Sequence, residues 1–134
     1  RKIHKENWMV VKLWHIYFVE NCQHTKPEPK DKFVIPVCEI DDQYIGFLIN
    51  SRISRFIQSR DHLLECQSHL KEVDHPCLTH DSIVACNTPY LFSESDFINY
   101  RHAVSEDAKQ LTLETVKICT TIQRRYKRKI LEDT

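Results

Sequence analysis

The chain has 134 residues, nineteen basic and nineteen acidic side chains, and a formal net charge of zero. That length suits one domain with a real core, and the balanced charge supplies no global field toward nucleic acid or a membrane surface, so any phosphate binding has to be local. A single glycine, Gly46, excludes the glycine-rich phosphate loops of the Walker and dinucleotide types.

Residues 9–19 are apolar, β-branched and aromatic between polar flanks, which predicts a largely buried strand. Residues 20–31 follow as a charged loop. Pro27 and Pro29 forbid helix and central strand there, and the loop is long enough to reach over a neighbouring surface. Two apolar runs, 33–40 and 44–49, then flank Asp41, Asp42 and Gln43 and predict a β-hairpin. In an antiparallel pair the start of one strand lies beside the end of the next. Lys32 is therefore expected beside Asn50, Ser51 and Arg52, as cations, a hydroxyl and an amide at the end of an apolar floor.

Residues 53–70 carry both helical spacing and strand composition; the expectation is a short helix at 54–59 and a strand at 63–67. A loop at 72–81, broken by Pro76, leads to a strand at 82–86 that Thr88 and Pro89 terminate. Ser93 caps a short helix with Glu94 and Asp96 in its first turn. Ser105 starts a longer one, whose expected inner face is Ala108, Leu111, Thr115, Ile118, Cys119 and Ile122. Thr120 and Thr121 interrupt it before a final helix at 122–131. The order, about five strands and then helices, predicts an α+β fold: a small curled antiparallel sheet or barrel with short helices and a C-terminal helix or helix pair. Residues 9–134 are taken as one domain and 1–8 as an extension without an assigned role.

No run approaches the roughly 20 apolar residues of a membrane span. No charged, apolar and small-residue leader precedes the body, so the expectation is a cytoplasmic protein without membrane contact. The six cysteines are then expected to be reduced, with Cys38, Cys86 and Cys119 as core positions.

The order of elements resembles the MazF/PemK-like toxin family of small SH3-like barrels. The resemblance rests on a strand, a charged proline-containing loop, the Lys32–Val37 sequence Lys-Phe-Val-Ile-Pro-Val, a strand running into Ile49, Asn50 and Ser51, the 78–84 segment Leu-Thr-His-Asp-Ser-Ile-Val, and a closing helix. It implies an endoribonuclease that cuts single-stranded RNA through the RNA's own 2′-hydroxyl, leaves a cyclic phosphate and needs no metal or cofactor. It further implies a homodimer controlled by a small antitoxin protein. The family's arginine before proline falls on Lys32, followed here by Phe33, and its threonine or serine falls on Ser51, with Asn50 the alternative register. The leucine–aspartate–serine segment falls on Leu78, Asp81 and Ser82, and the loop over the site on residues 24–30. Lys32 and Ser51 are thus the candidate catalytic pair, and Asn50, Arg52, Arg55, His24, Lys30 and His80 the candidate RNA-binding residues. Lysine is a point charge and lacks the bidentate fork of arginine. A non-catalytic barrel that binds nucleic acid or a protein partner is the alternative.

Two other groupings compete. Cys66, His69, His75, Cys77 and His80 are zinc-type ligands within a short span, though their gaps match no standard finger. Residues 124–129 hold five cations and Tyr126, a composition that can contact RNA phosphates or simply suit a helix C-terminus. Tyr126 with Ile122 and Ile130 at helical steps reads as the seam that docks this helix.

Overall fold

The structure, a computed structural model, describes residues 10–132. Met9, the start of the first expected strand, lies outside the described residues, as do the extension 1–8 and the last two residues. Six strands form one antiparallel sheet: β1 (His15–Cys22), β2 (Lys30–Ile40), β3 (Gln43–Asn50), β4 (Gln67–Leu70), β5 (Ser82–Phe92) and β6 (Tyr100–Ala103). The spatial order is β4-β5-β3-β2-β1-β6. Among the described residues four α-helices accompany it: the one-turn α1 (Arg55–Gln58) and α2 (Asp61–Leu64), then α3 (Glu106–Ile118) and α4 (Arg124–Glu132). Register shifts in the β1–β2, β1–β6, β2–β3 and β3–β5 pairs mark bulges that curl the sheet into a half-barrel. The α+β class and the curled antiparallel sheet match the expectation.

β2 and β3 form the predicted hairpin. Asp41 and Asp42 both adopt positive φ, 51° and 66°, the backbone a tight two-residue turn between twisted strands requires. The pairing Phe33–Ile49, Val34–Leu48 and Ile35–Phe47 fixes the register. Alternation then sends Ile35, Phe47 and Ile49 to one face and Val34 and Leu48 to the other. The first face holds the main core, where Ile16, Val37 and Val84 of the sheet pack with Val116 of α3 and Ile130 of α4, all fully buried. Each such side chain contributes roughly 1.5–3 kcal/mol by leaving water. A smaller core on the second face gathers Tyr17, Val34, Leu48, Phe92 and Phe97.

Several boundaries differ from the sequence reading. β1 begins at His15 rather than residue 9, because Trp14 takes a φ of 64° and its backbone bridges two neighbours: its N–H donates to Pro36 O at 2.7 Å and its carbonyl accepts from Val104 N at 3.0 Å. Residues 63–64 are helical, and the strand expected at 63–67 is β4 at Gln67–Leu70, fixed by pairing with β5. β5 does not stop at Thr88 and Pro89. Its pairing with β3 jumps from Ala85–Leu48 to Tyr90–Gly46, so Asn87, Thr88 and Pro89 fall in a bulge, where a missing N–H costs no ladder bond. β6 had no forecast in the sequence. Ser105 does cap α3, accepting from Ala108 N at 3.1 Å. The buried face of α3 is Ala108, Thr112, Leu113, Thr115 and Val116, whereas Leu111 and Ile118 are 46% and 57% exposed. Tyr126, Ile122 and Ile130 form the seam of α4 as expected.

The thiol expectation is corrected as well. Cys66 and Cys119 are joined in a disulfide that ties the start of β4 to the end of α3. Cys22, Cys38, Cys77 and Cys86 are not disulfide-bonded. No helix among the described residues is long and apolar enough to cross a membrane.

Candidate nucleic-acid interface

Lys32 is the last polar residue before β2 enters the core, and Asn50 is the last residue of β3. The Phe33–Ile49 pairing places them opposite each other one step further on, on the second face of the sheet. The Lys32 ammonium donates to Asn50 Oδ1 at 2.5 Å. Lys32 is half-buried, and that burial pushes its pKa below the ordinary lysine range, with Lys30 adding repulsion and a nearby Cys22 opposing the shift.

Beyond Asn50 the chain leaves the sheet. Ser54 caps α1, and neither α1 nor α2 buries a residue. This excursion walls a groove of about 850 Å³ whose lining includes Lys30, Lys32, Arg52 and Arg55 together with Ser51 and Gln67. Among the described residues no carboxylate is ion-paired to any of the four cations, and none lines the groove. Positive charge is thus concentrated in one concave site on a chain of zero net charge. Lys32 contributes a point charge, and the planar forks suited to phosphate come from Arg52 and Arg55.

A smaller groove of about 330 Å³ adjoins the first and shares Lys32, Asn50 and Ser51 with it. Its floor is apolar, including Phe18, Phe33 and Leu78, and its rim carries His80 and Ser82. His80 is exposed; its Nδ1–H donates to the Asp81 carbonyl at 3.0 Å, which leaves Nε2 to act as an acceptor.

Six of the eight candidate residues, Lys30, Lys32, Asn50, Ser51, Arg52 and Arg55, therefore share one groove, and His80 occupies the adjoining one. His24 lines neither. Its ring stacks on Tyr90 at 4.4 Å, and its Nε2–H donates to Leu91 O at 2.9 Å, so the 23–29 loop lies against β5. Leu78 is buried, and Asp81 accepts from Glu72 N at 2.8 Å, a bond that shapes the loop before β5. Ile53, Ser54, Ile57, Gln58 and Gln67 also line the groove, and sequence reasoning singled out none of them as site residues.

The zinc grouping does not assemble. Cys66 is held in the disulfide, and the buried His75 has both nitrogens engaged: Nδ1–H donates to Lys71 O at 2.7 Å and Nε2 accepts from Ser105 N at 3.0 Å. No group of three potential ligands converges among the described residues. The basic run of α4 lies at the hairpin-turn end of β2, where Arg125 pairs with Asp41 at 2.6 Å and Lys127 caps the Lys117 carbonyl at 3.1 Å. These cations are remote along the strand from Lys32.

No family profile matches the chain, and no curated protein is similar to it. Among solved structures, the Mycobacterium tuberculosis toxin MazF-mt6 matches with a TM-score of 0.59 at 10% identity, over 81% of this chain and 98% of that one. The chain therefore shares the fold of a MazF toxin along almost the whole length of that protein, with the basic groove built on it.

Proposed function

We propose that the groove binds single-stranded RNA and cleaves it as a toxin-like endoribonuclease. The observation that carries this reading is the convergence of four cations without carboxylate partners around the Lys32–Asn50 pair, on a MazF-like fold. Arg52 and Arg55 hold the phosphodiester. The RNA 2′-oxygen attacks phosphorus, the 5′-oxygen leaves, and a 2′,3′-cyclic phosphate forms. His80 Nε2 takes the proton from the 2′-hydroxyl, and Lys32 gives one to the departing oxygen. An ammonium whose pKa burial has lowered is a better acid for that step than an ordinary lysine. Ser51 donates a hydrogen bond to the phosphate as negative charge builds. The reading includes a homodimer and a small antitoxin protein as partners. Incubation of defined single-stranded RNA with the protein and with Lys32→Ala and Ser51→Ala tests it; cleavage lost in both variants supports the enzyme.

One observation favours a second reading. Among the described residues no imidazole or carboxylate lines the larger groove, and its proton acceptor has to come from the adjoining one. A barrel that binds RNA without cutting it fits that arrangement. RNA retained by the protein but left intact would support this second function.

A further inference from the structure

Gln67 is an unusual wall for a basic groove. It is only 9% exposed, and its side-chain amide is held at two points: Nε2 donates to Leu63 O at 3.1 Å and to Asn87 Oδ1 at 2.9 Å. A backbone carbonyl can only accept, so the atom facing Leu63 has to be the nitrogen. Both N–H donors are then spent. Asn87 is itself steadied, with Nδ2 donating to Thr88 Oγ1 at 3.2 Å and its carbonyl accepting from Thr121 Oγ1 at 2.6 Å. The one remaining polar atom of the amide is Oε1. It has no partner among the described residues, and it is not among the buried unsatisfied atoms, where Trp14 Nε1 stands alone. Gln67 lines the groove, so Oε1 is the atom of this amide left to accept from a ligand there.

An acceptor in that position repels phosphate oxygens and rewards a neutral donor. We infer that Gln67 is a specificity-determining residue: its Oε1 accepts a hydrogen bond from a hydroxyl or exocyclic amine carried by the nucleotide whose phosphate the cations hold. This rests on the RNA-binding reading and adds to it, because cations alone bind any polyanion. Two sources of the donor are chemically equivalent here, the ribose 2′-hydroxyl and the amine of adenine or cytosine. Asn87 is the positioning residue, since without it the amide is held by the Leu63 carbonyl alone.

The test is a set of binding isotherms with short synthetic oligo-A, oligo-C and oligo-U and with their deoxy counterparts. The wild-type protein is expected to favour strands that carry the inferred group, the 2′-hydroxyl or the exocyclic amine, by about tenfold, the scale of one polar group left unpaired. RNA over DNA at every base assigns the donor to the 2′-hydroxyl; A and C over U in both sugars assigns it to the amine. Gln67→Met should abolish the preference while leaving the salt dependence of binding, which reports the cations, unchanged. Asn87→Ala should weaken the preference with Gln67 still present, and it serves if Gln67→Met fails to fold. Equal binding of all strands by the wild type, or a preference that survives both substitutions, overturns this inference and leaves the RNA reading intact. Binding of no strand at all overturns both.

Discussion

Lys32 and Asn50 face each other across the β2–β3 pair, with the ammonium donating to the amide oxygen. One contact thus joins the start of one strand to the end of the next and fixes a half-buried cation at the junction of two grooves. Asn50→Leu leaves that ammonium without its acceptor. The expected cost is about 1–3 kcal/mol of folding stability, measured by denaturant unfolding, with Asn50→Asp retaining more of it.

The lowered pKa of Lys32 has a sign that can be checked. The folded state releases the Lys32 proton more readily than the unfolded chain, whose value is 10.5. Between the folded pKa and 10.5 the unfolded state binds more protons, so this residue's contribution makes stability rise with pH across that window. RNA affinity moves the other way, since the groove loses a cation as Lys32 deprotonates. Unfolding and RNA binding measured over alkaline pH should differ between wild type and Lys32→Met in the sense of these two trends, the remaining groups titrating alike in both.

The four groove cations predict a salt dependence. Each phosphate contact on a single strand contributes about 0.7 to the slope of log affinity against log salt. Lys32→Ala, or Arg52→Ala with Arg55→Ala, should reduce that slope in proportion to the charges removed. Substitution of Arg124 and Arg128 on α4, remote from the groove, should leave it unchanged.

Cys66 and Cys119 close a loop of 53 residues. By the chain-entropy relation, a loop of this length stabilises the fold by about 4 kcal/mol. Thermal or denaturant unfolding with and without a dithiol reductant should show a loss of that order, and Cys119→Ser should reproduce it without reductant. Cys86→Ala should leave the reductant effect in place.

Gly46 sits where no side chain fits. A Cβ there would stand 2.8 Å from Phe92 Cε2 and 3.0 Å from Val34 Cγ1, both within the second core. Gly46→Ala is expected to destabilise by about 1–3 kcal/mol, and Phe92→Leu in the same chain to recover part of the loss.

The sequence was most legible where local chemistry and long-range pairing agree. Two β-branched and aromatic runs around the acidic joint 41–43 announced the β2–β3 hairpin, and antiparallel geometry then placed Lys32 beside Asn50 without further information. Ser105 announced α3 by side-chain capping, which is local, and Ser93 opens a single 3-10 turn at Glu94–Asp96, its N–H donating to the Asp96 carboxylate at 3.0 Å. The misreadings have tertiary causes. β6 exists because Tyr100–Ala103 pairs with β1, not because its residues alternate. The inner face of α3 is rotated because Thr112 can be buried: its hydroxyl donates to Ala108 O at 2.8 Å and meets Ser68 Oγ at 3.2 Å, so a polar residue displaced Leu111 from the core. Cysteine spacing could not foresee the Cys66–Cys119 bond, because only the folded chain brings those residues together. Gln67 escaped notice for the same reason, being defined by an excursion whose path no periodicity sets.

End-group analysis of labelled single-stranded RNA incubated with the protein, run beside Lys32→Ala, tests the central claim most directly. The account predicts fragments ending in a 2′,3′-cyclic phosphate with the wild type and intact RNA with the variant. Intact RNA with both, or equal cleavage by both, would contradict it.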